Sequence, residues 1–236
     1  MSDWKEMEER FQSKLPGIRR PIAVTFLDAV PSGVERFSGT VPSGCSFWRL
    51  ASEGGAFYTV PADHFNCAVG SYTHNIPLSP EREKETEQTL KLMFTVGYIK
   101  PEEVPSIPRL AKTPAAVVYA PLGETPGEPS AVLFACKPGT AMLLQEAAIR
   151  AGAGGATPTL GRPTCTSLPF ALERGTQTSL GCIGNRVYTG LGEDELYIVV
   201  AGKDLEKVAA ALDEIVSANQ ALQNYATERR TQLATA

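Results

Sequence analysis

Hydrophobic positions change their period along the chain, and each change predicts an element. An amphipathic stretch at about residues 3–14 predicts an opening helix, from which Pro16 and Pro21 lead into a strand at Ile22–Leu27. A second strand is expected at Ala56–Val60. Ser79-Pro80-Glu81 reads as a helix start: the serine side chain caps free N–H groups, and proline follows where its missing N–H costs nothing. Leu90, Met93 and Phe94 share one face of that helix, which is expected to end near Gly97. From Pro101 to Pro129 the chain is proline-rich, with one strand at Ala115–Ala120. That stretch reads as an ordered linker between two halves. Beyond it come a strand at Ala131–Phe134, a helix at Thr140–Ala151 and the loop Gly152–Gly155. Strands follow near Thr176–Leu180 and Leu196–Val200, then a long closing helix from about Asp204 to Arg229. In that helix Leu205, Val208, Leu212, Ile215 and Leu222 recur at heptad-like spacing, with Asn219 at an inner position. The stripe is expected to pack on the protein's own sheet, with a homodimer as its second use.

The two halves resemble each other. Cys45 is followed by Ala51, Glu53 and Gly55, and Cys165 is followed at the same offsets by Ala171, Glu173 and Gly175. A second cysteine follows in each half, Cys67 and Cys182, and then Tyr72-Thr73 and Tyr188-Thr189 with a shift of one residue. A strand precedes each unit. The fold expected is α+β: a single domain over 1–236 with half-repeats at 20–100 and 129–202 packed about a pseudo-twofold, closed by a C-terminal helix over 203–230. Each half then supplies one cysteine before a short helix and another after the next strand.

Bulk properties exclude several classes. The chain has 236 residues, is 43% hydrophobic and 20% charged, and carries a net charge of -4, as an ordinary globular protein with a sizeable core does. No basic run exceeds Arg229-Arg230, so nucleic acid is not an expected partner. The N-terminal segment lacks the basic start and apolar stretch of a secretory signal, and no segment has the roughly 20 apolar residues of a membrane helix. A cytoplasmic protein with no membrane partner is expected. Its five cysteines are then core fillers, reactive thiols or metal ligands, since thiols stay reduced there.

Thiolates suit iron–sulfur clusters, zinc or copper(I). Gly44, Gly181 and Gly184, beside the cysteines, would let backbone N–H groups approach a cluster. Yet no CxxC pair occurs, and spacing alone favours four small buried thiols. His64 lies three residues before Cys67. It reads as a ligand, as an acid–base partner beside Asp63, or as a loop histidine bonded to backbone. His74 reads as structural. Arg186, after the Gly184-Asn185 turn, offers a fork for a carboxylate or phosphate, although a surface or glutamate-paired arginine is commoner. Gly152–Gly155 follows a helix and so fails the context test for a dinucleotide loop. No P-loop, GxSxG or HExxH motif is present.

The strings Gly44–Trp48, Phe57–Val60 with Asp63-His64, Arg162–Cys165 and Gly181–Thr189 resemble the uncharacterised domain-of-unknown-function 169 family. The resemblance runs from about Arg20 to the closing helix and implies no established activity. It does imply that Cys45, Cys67, Cys165 and Cys182 sit at recurring cysteine places, whereas Cys136 does not. The balance then moves to a metal or cluster site, with Cys136 as core filler on a strand end.

Three functions follow as expectations. The first is a cysteine-ligated metal or iron–sulfur protein in which Cys45, Cys67, Cys165 and Cys182 converge, with His64 at the rim. An open iron position would then serve a small-molecule substrate, with His64 and Arg186 as its catalytic candidates. Iron–sulfur is preferred to zinc, because zinc sites usually carry a close ligand pair. The second is a cysteine-nucleophile enzyme using Cys67 and His64, with the Cys182 turn donating N–H groups. The third is a non-catalytic module that binds a small molecule or cofactor between the halves.

Overall fold

The computed structural model describes residues 3–154 and 163–234. Seven strands form one mixed sheet: β1 Ile22–Leu27, β2 Glu35–Arg36, β3 Phe57–Thr59, β4 Ala116–Pro121, β5 Ala131–Cys136, β6 Gln177–Ser179 and β7 Leu196–Ala201. Their order is β2-β3-β4-β1-β5-β7-β6. The helices are α1 Trp4–Lys14, α2 Ser46–Glu53, α3 Ala68–Thr73, α4 Pro80–Thr95, α5 Pro138–Arg150, α6 Ser167–Arg174, α7 Ile183–Thr189 and α8 Leu205–Ala234. Ser79 caps α4 as its sequence requires, its side chain accepting from the Arg82 N–H. None of the described helices is long and apolar enough to cross a membrane.

Four strands, β1, β4, β5 and β7, lie at the middle of the sheet; β4, β5 and β7 are buried along their whole length and β1 over Ile22–Val24. On one face Val132, Phe134, Ile198 and Val200 pack against Phe11 and Leu15, Leu144 of α5, and Leu205, Val208, Leu212 and Ile215 of α8. On the other, Val24, Val117, Tyr119, Leu133 and Val199 pack against Phe47, Trp48 and Ala51 of α2 and Leu168 and Ala171 of α6. Alternate residues of each strand point to alternate layers, as the period of two demands. Each fully buried Leu or Phe contributes on the order of 1.5–3 kcal/mol through the apolar area it removes from water.

Two expectations need correction here. The strand expected inside a linker, β4, is buried along its whole length between β3 and β1. Its six apolar residues belong to the sheet, and only its flanks have linker character. In α8, Leu205 to Ile215 pack on the protein's own body, whereas Leu222 is 67% exposed. The stripe therefore divides at about Asn219, whose Nδ2 donates to Glu146 Oε2 at 3.0 Å.

With β2 set aside, the strand order reads alike from both edges: a three-residue edge strand, then two six-residue strands, then the same in reverse. The registers correspond as well. Ile22 pairs with Pro121 and Ala131 with Ala201; Tyr58 pairs with Val118 and Thr178 with Ile198. The two innermost strands, β1 and β5, pair antiparallel. A short 3-10 turn follows both β4 and β7, at Leu122–Glu124 and Gly202–Asp204.

Candidate functional site

Four chain segments bring cysteines to the α2/α6 side of the sheet. Cys45 stands immediately before α2, and Cys165 lies in the 3-10 turn Thr164–Thr166 that leads into α6. Cys67 and Cys182 occupy the N-cap positions of α3 and α7. All four line one cavity of about 360 Å³, together with Ser43, Asn185 and, from α4, Arg82, Glu85, Thr86, Thr89 and Met93. Cys136 takes no part: it ends β5, fully buried against the opposite layer. All five cysteines are free thiols.

Burial in the chamber disfavours bare thiolates at Cys45 and Cys165. Burial pushes the Cys45 thiol up to about 12; Cys67 and Cys182 add to the rise, and polar groups of Ser43 and Asn185 oppose it. Cys165 is raised well above the ordinary thiol range, first by burial, then by Cys45 and Cys67, with Thr73 opposing. The Tyr119 hydroxyl is raised for the same first reason and also feels Cys45, Cys67 and Cys165. Each negative charge makes the next more costly, and a bound cation would reverse that relation. Among the described residues, however, no three His, Cys, Asp or Glu side chains are close enough to hold a single metal ion. A closed mononuclear site, with ligands at about 2.0–2.3 Å, is therefore not preformed.

Local structure explains how Cys67 is held. Its Sγ accepts the Gly70 N–H at 3.3 Å and lies 3.6 Å from Ser43 Oγ. A Cβ on Gly70 would come within 3.0 Å of that sulfur, so residue 70 must be small for the cap to form. Opposite it, the Cys182 N–H donates to Thr164 Oγ1 at 2.6 Å and ties the α7 start to the Cys165 turn.

His64 is not at the chamber's rim. The 3-10 turn Pro61–His64 carries its ring inward, where it is 1% exposed beside Phe47, with ring centroids 5.0 Å apart, and His74, at 5.4 Å. Asp63 does not serve it either, because that carboxylate receives Arg36 at 2.8 Å and the Val60 N–H at 2.6 Å. The partner of His64 is Thr59, whose Oγ1 lies 2.9 Å from Nε2 and also donates to Val117 O at 3.2 Å. Thr59 has one hydroxyl hydrogen; where the carbonyl takes it, Nε2 donates and Nδ1 is the lone-pair nitrogen of a neutral ring. Burial pushes His64 down to about 4 and so keeps the ring neutral. Nδ1 has no hydrogen-bond partner. The place a Cβ would take on Gly44 is 3.8 Å from Nδ1 and 4.0 Å from Cys67 Sγ, so both groups face that glycine.

Arg186 is committed elsewhere: its guanidinium donates to the carbonyls of Gly192, Leu180 and Glu195. It closes the loop between α7 and β7. His74 is buried with neither ring nitrogen bonded. Arg162, part of one motif, lies outside the described residues. Sequence reasoning missed Asn185, a buried chamber residue whose side chain lies beside Cys45 and Tyr197 and opposes the upward push that burial gives both groups. It lies within the Gly181–Thr189 string, where it was read only as part of a turn.

The model of the family described as DUF169, uncharacterised ArCR, matches residues 10–211. The chain is 28% identical over 160 residues to Uncharacterized protein MJ0308 of Methanocaldococcus jannaschii, which covers 64% of this chain and 67% of that protein. No solved structure matches.

Proposed function

The chain belongs to the domain-of-unknown-function 169 family, and on that footing we propose that it is a cysteine-ligated cluster protein, with an iron–sulfur cluster held between two duplicated halves. The observation that carries this reading is that Cys45, Cys67, Cys165 and Cys182, from four separate segments, line one cavity. Cys45 and Cys165 precede matching helices, and Cys67 and Cys182 cap matching helices. The corresponding strand registers support a duplication about a pseudo-twofold between β1 and β5.

The donor set is all sulfur, the preference of iron–sulfur clusters, and a polynuclear cluster spaces its thiolate ligands more widely than one zinc ion does. Zinc is the second occupant, and it would require the thiols to close in. When bound, a cluster supplies one-electron chemistry or, with three thiolates, an iron open to a small substrate. The chain's own groups do the rest: Gly70 N–H donates to Cys67, the Asn185 side chain lines the chamber beside Cys45, and α4 lines another side of it.

A second reading, a Cys67 nucleophile with His64 as base, has one observation in its favour: His64 Nδ1, without a hydrogen-bond partner, and Cys67 Sγ both face Gly44. Single Cys→Ser variants separate the two readings. Loss of bound iron in all four chamber variants, but not in Cys136→Ser, supports the cluster. Activity or alkylation depending on Cys67 alone, in metal-free protein, supports the nucleophile.

A further inference from the structure

Beside the cysteine chamber lies a second cavity of about 140 Å³, lined by α3, α4, Pro163 and the segment from Tyr98 to Ile107. Its lining includes Val69, Leu90, Met93 and Ile107. The hydroxyl groups of three lining residues are turned away into backbone bonds. Thr86 Oγ1 donates to Arg82 O at 2.9 Å, Thr89 Oγ1 to Glu85 O at 3.0 Å, and Tyr72 Oη to Val104 O at 3.3 Å. Those threonines therefore present methyl groups to the cavity. The Tyr72 ring is held as a fixed wall, because the Arg109 guanidinium lies 4.4 Å from its centroid while Arg109 Nε donates to Tyr72 O.

Helix α4 is seated in an unusual way. Arg82, Thr86, Leu90 and Met93 form its inner stripe, yet none of its residues is buried. The cavity lies under that stripe. It adjoins the chamber, and Val69, Thr86, Thr89 and Met93 are walls common to both. An apolar space of about 150 Å³ has room for a benzene-sized molecule.

We propose that this slot binds the apolar end of a small-molecule ligand, a group the size of a benzene ring, whose polar end reaches the cysteine chamber. The placement of the polar end rests on the reading of the chamber as the site; the apolar end does not. The ligand class is an aromatic or compact branched-hydrocarbon compound with one polar head. Binding fills the gap beneath α4 and removes its half-exposed stripe from water, so occupancy stiffens the wall of the chamber.

The test is a methyl and amide NMR titration of the full chain with benzene and with benzyl alcohol. Benzene should cause saturable shifts at Val69, Leu90, Met93 and Ile107. Leu90→Trp, or Ile107→Trp if the first does not fold, should weaken binding at least about tenfold. Benzyl alcohol should add shifts at Cys67 and Asn185 that benzene does not cause. Slot binding should persist in the Cys45→Ser and Cys165→Ser variants, so a failed cluster leaves this result intact. Absence of saturable shifts, or binding that survives both slot-filling variants, overturns the slot. Benzyl alcohol that binds without perturbing Cys67 or Asn185 overturns the ligand class.

Discussion

Thr59 Oγ1 stands 2.9 Å from His64 Nε2 and 3.2 Å from Val117 O, and a hydroxyl hydrogen given to the carbonyl makes Nδ1 the basic nitrogen of the buried ring. Side-chain nitrogen NMR of His64 should show Nε2 protonated and Nδ1 bare. Thr59→Val removes the acceptor and should populate the other tautomer. A protonated Nδ1 in the unaltered protein would contradict the assignment.

Acid should destabilise the metal-free protein earlier than its carboxylates require. Burial pushes His64 down to about 4 and His74 to about 3, from 6.5. Both folded values lie below the unfolded one, so the unfolded state binds more protons as pH falls below 6.5. Stability is therefore lost from about pH 6.5 downward, by up to about 1.4 kcal/mol per pH unit for each histidine. The shifted carboxylates Asp194, Glu195 and Asp213 have depressed values and are lost only at lower pH. Urea midpoints that do not change between pH 7 and 5 would contradict this. His64→Gln should reduce the slope.

Elements with a strong local pattern were legible in the sequence, and those with a tertiary cause were not. Ile22–Leu27 was read to the residue, because a six-residue apolar run after proline has few alternatives. The α4 start followed from Ser79-Pro80. By contrast α3 and α7 are only six and seven residues long, too short for a helical period to register. The prolines on either side of β4 made a central strand look like part of a linker. The four chamber cysteines were named from family-like strings, with the paired segments in support. The inward turn of His64 was not legible, because it depends on Phe47 and Thr59, which the chain brings to it only on folding.

Glycine substitutions should have opposite effects at two sites. A Cβ on Gly202 would fall 1.7 Å from Pro129 O and 2.8 Å from Pro129 C. Gly202→Ala must shift the strand-end backbone and should cost about 3 kcal/mol or more. Gly139, in the first turn of α5, has nothing within 4 Å of its Cβ position. Gly139→Ala should be neutral or stabilising by up to about 1 kcal/mol. Equal urea midpoints for the two variants would contradict the geometry at Gly202.

The last turns of α8 should be dispensable for folding. Residues 220–234 are exposed, including Leu222, Tyr225 and Leu233. Truncation after Asn219 should leave the thermal midpoint of the body within about 2 °C. A larger fall would mean that the tail packs on the body or on a second copy. Light scattering separates those cases and tests the expected homodimer. A dimer that becomes a monomer on truncation places self-association on the tail, and a monomer in both forms rejects it.

The central claim is that four cysteines from two matching halves hold one cluster, and it is tested most directly on protein expressed with iron and purified without oxygen. Iron and acid-labile sulfide would be quantified beside the visible absorption spectrum, for the unaltered chain and for Cys45→Ser, Cys67→Ser, Cys165→Ser, Cys182→Ser and Cys136→Ser. The account predicts a coloured protein with iron and sulfide in stoichiometric amounts. Colour should be lost or strongly reduced in the four chamber variants and kept in Cys136→Ser. A colourless, iron-free and sulfide-free protein under those conditions would contradict it.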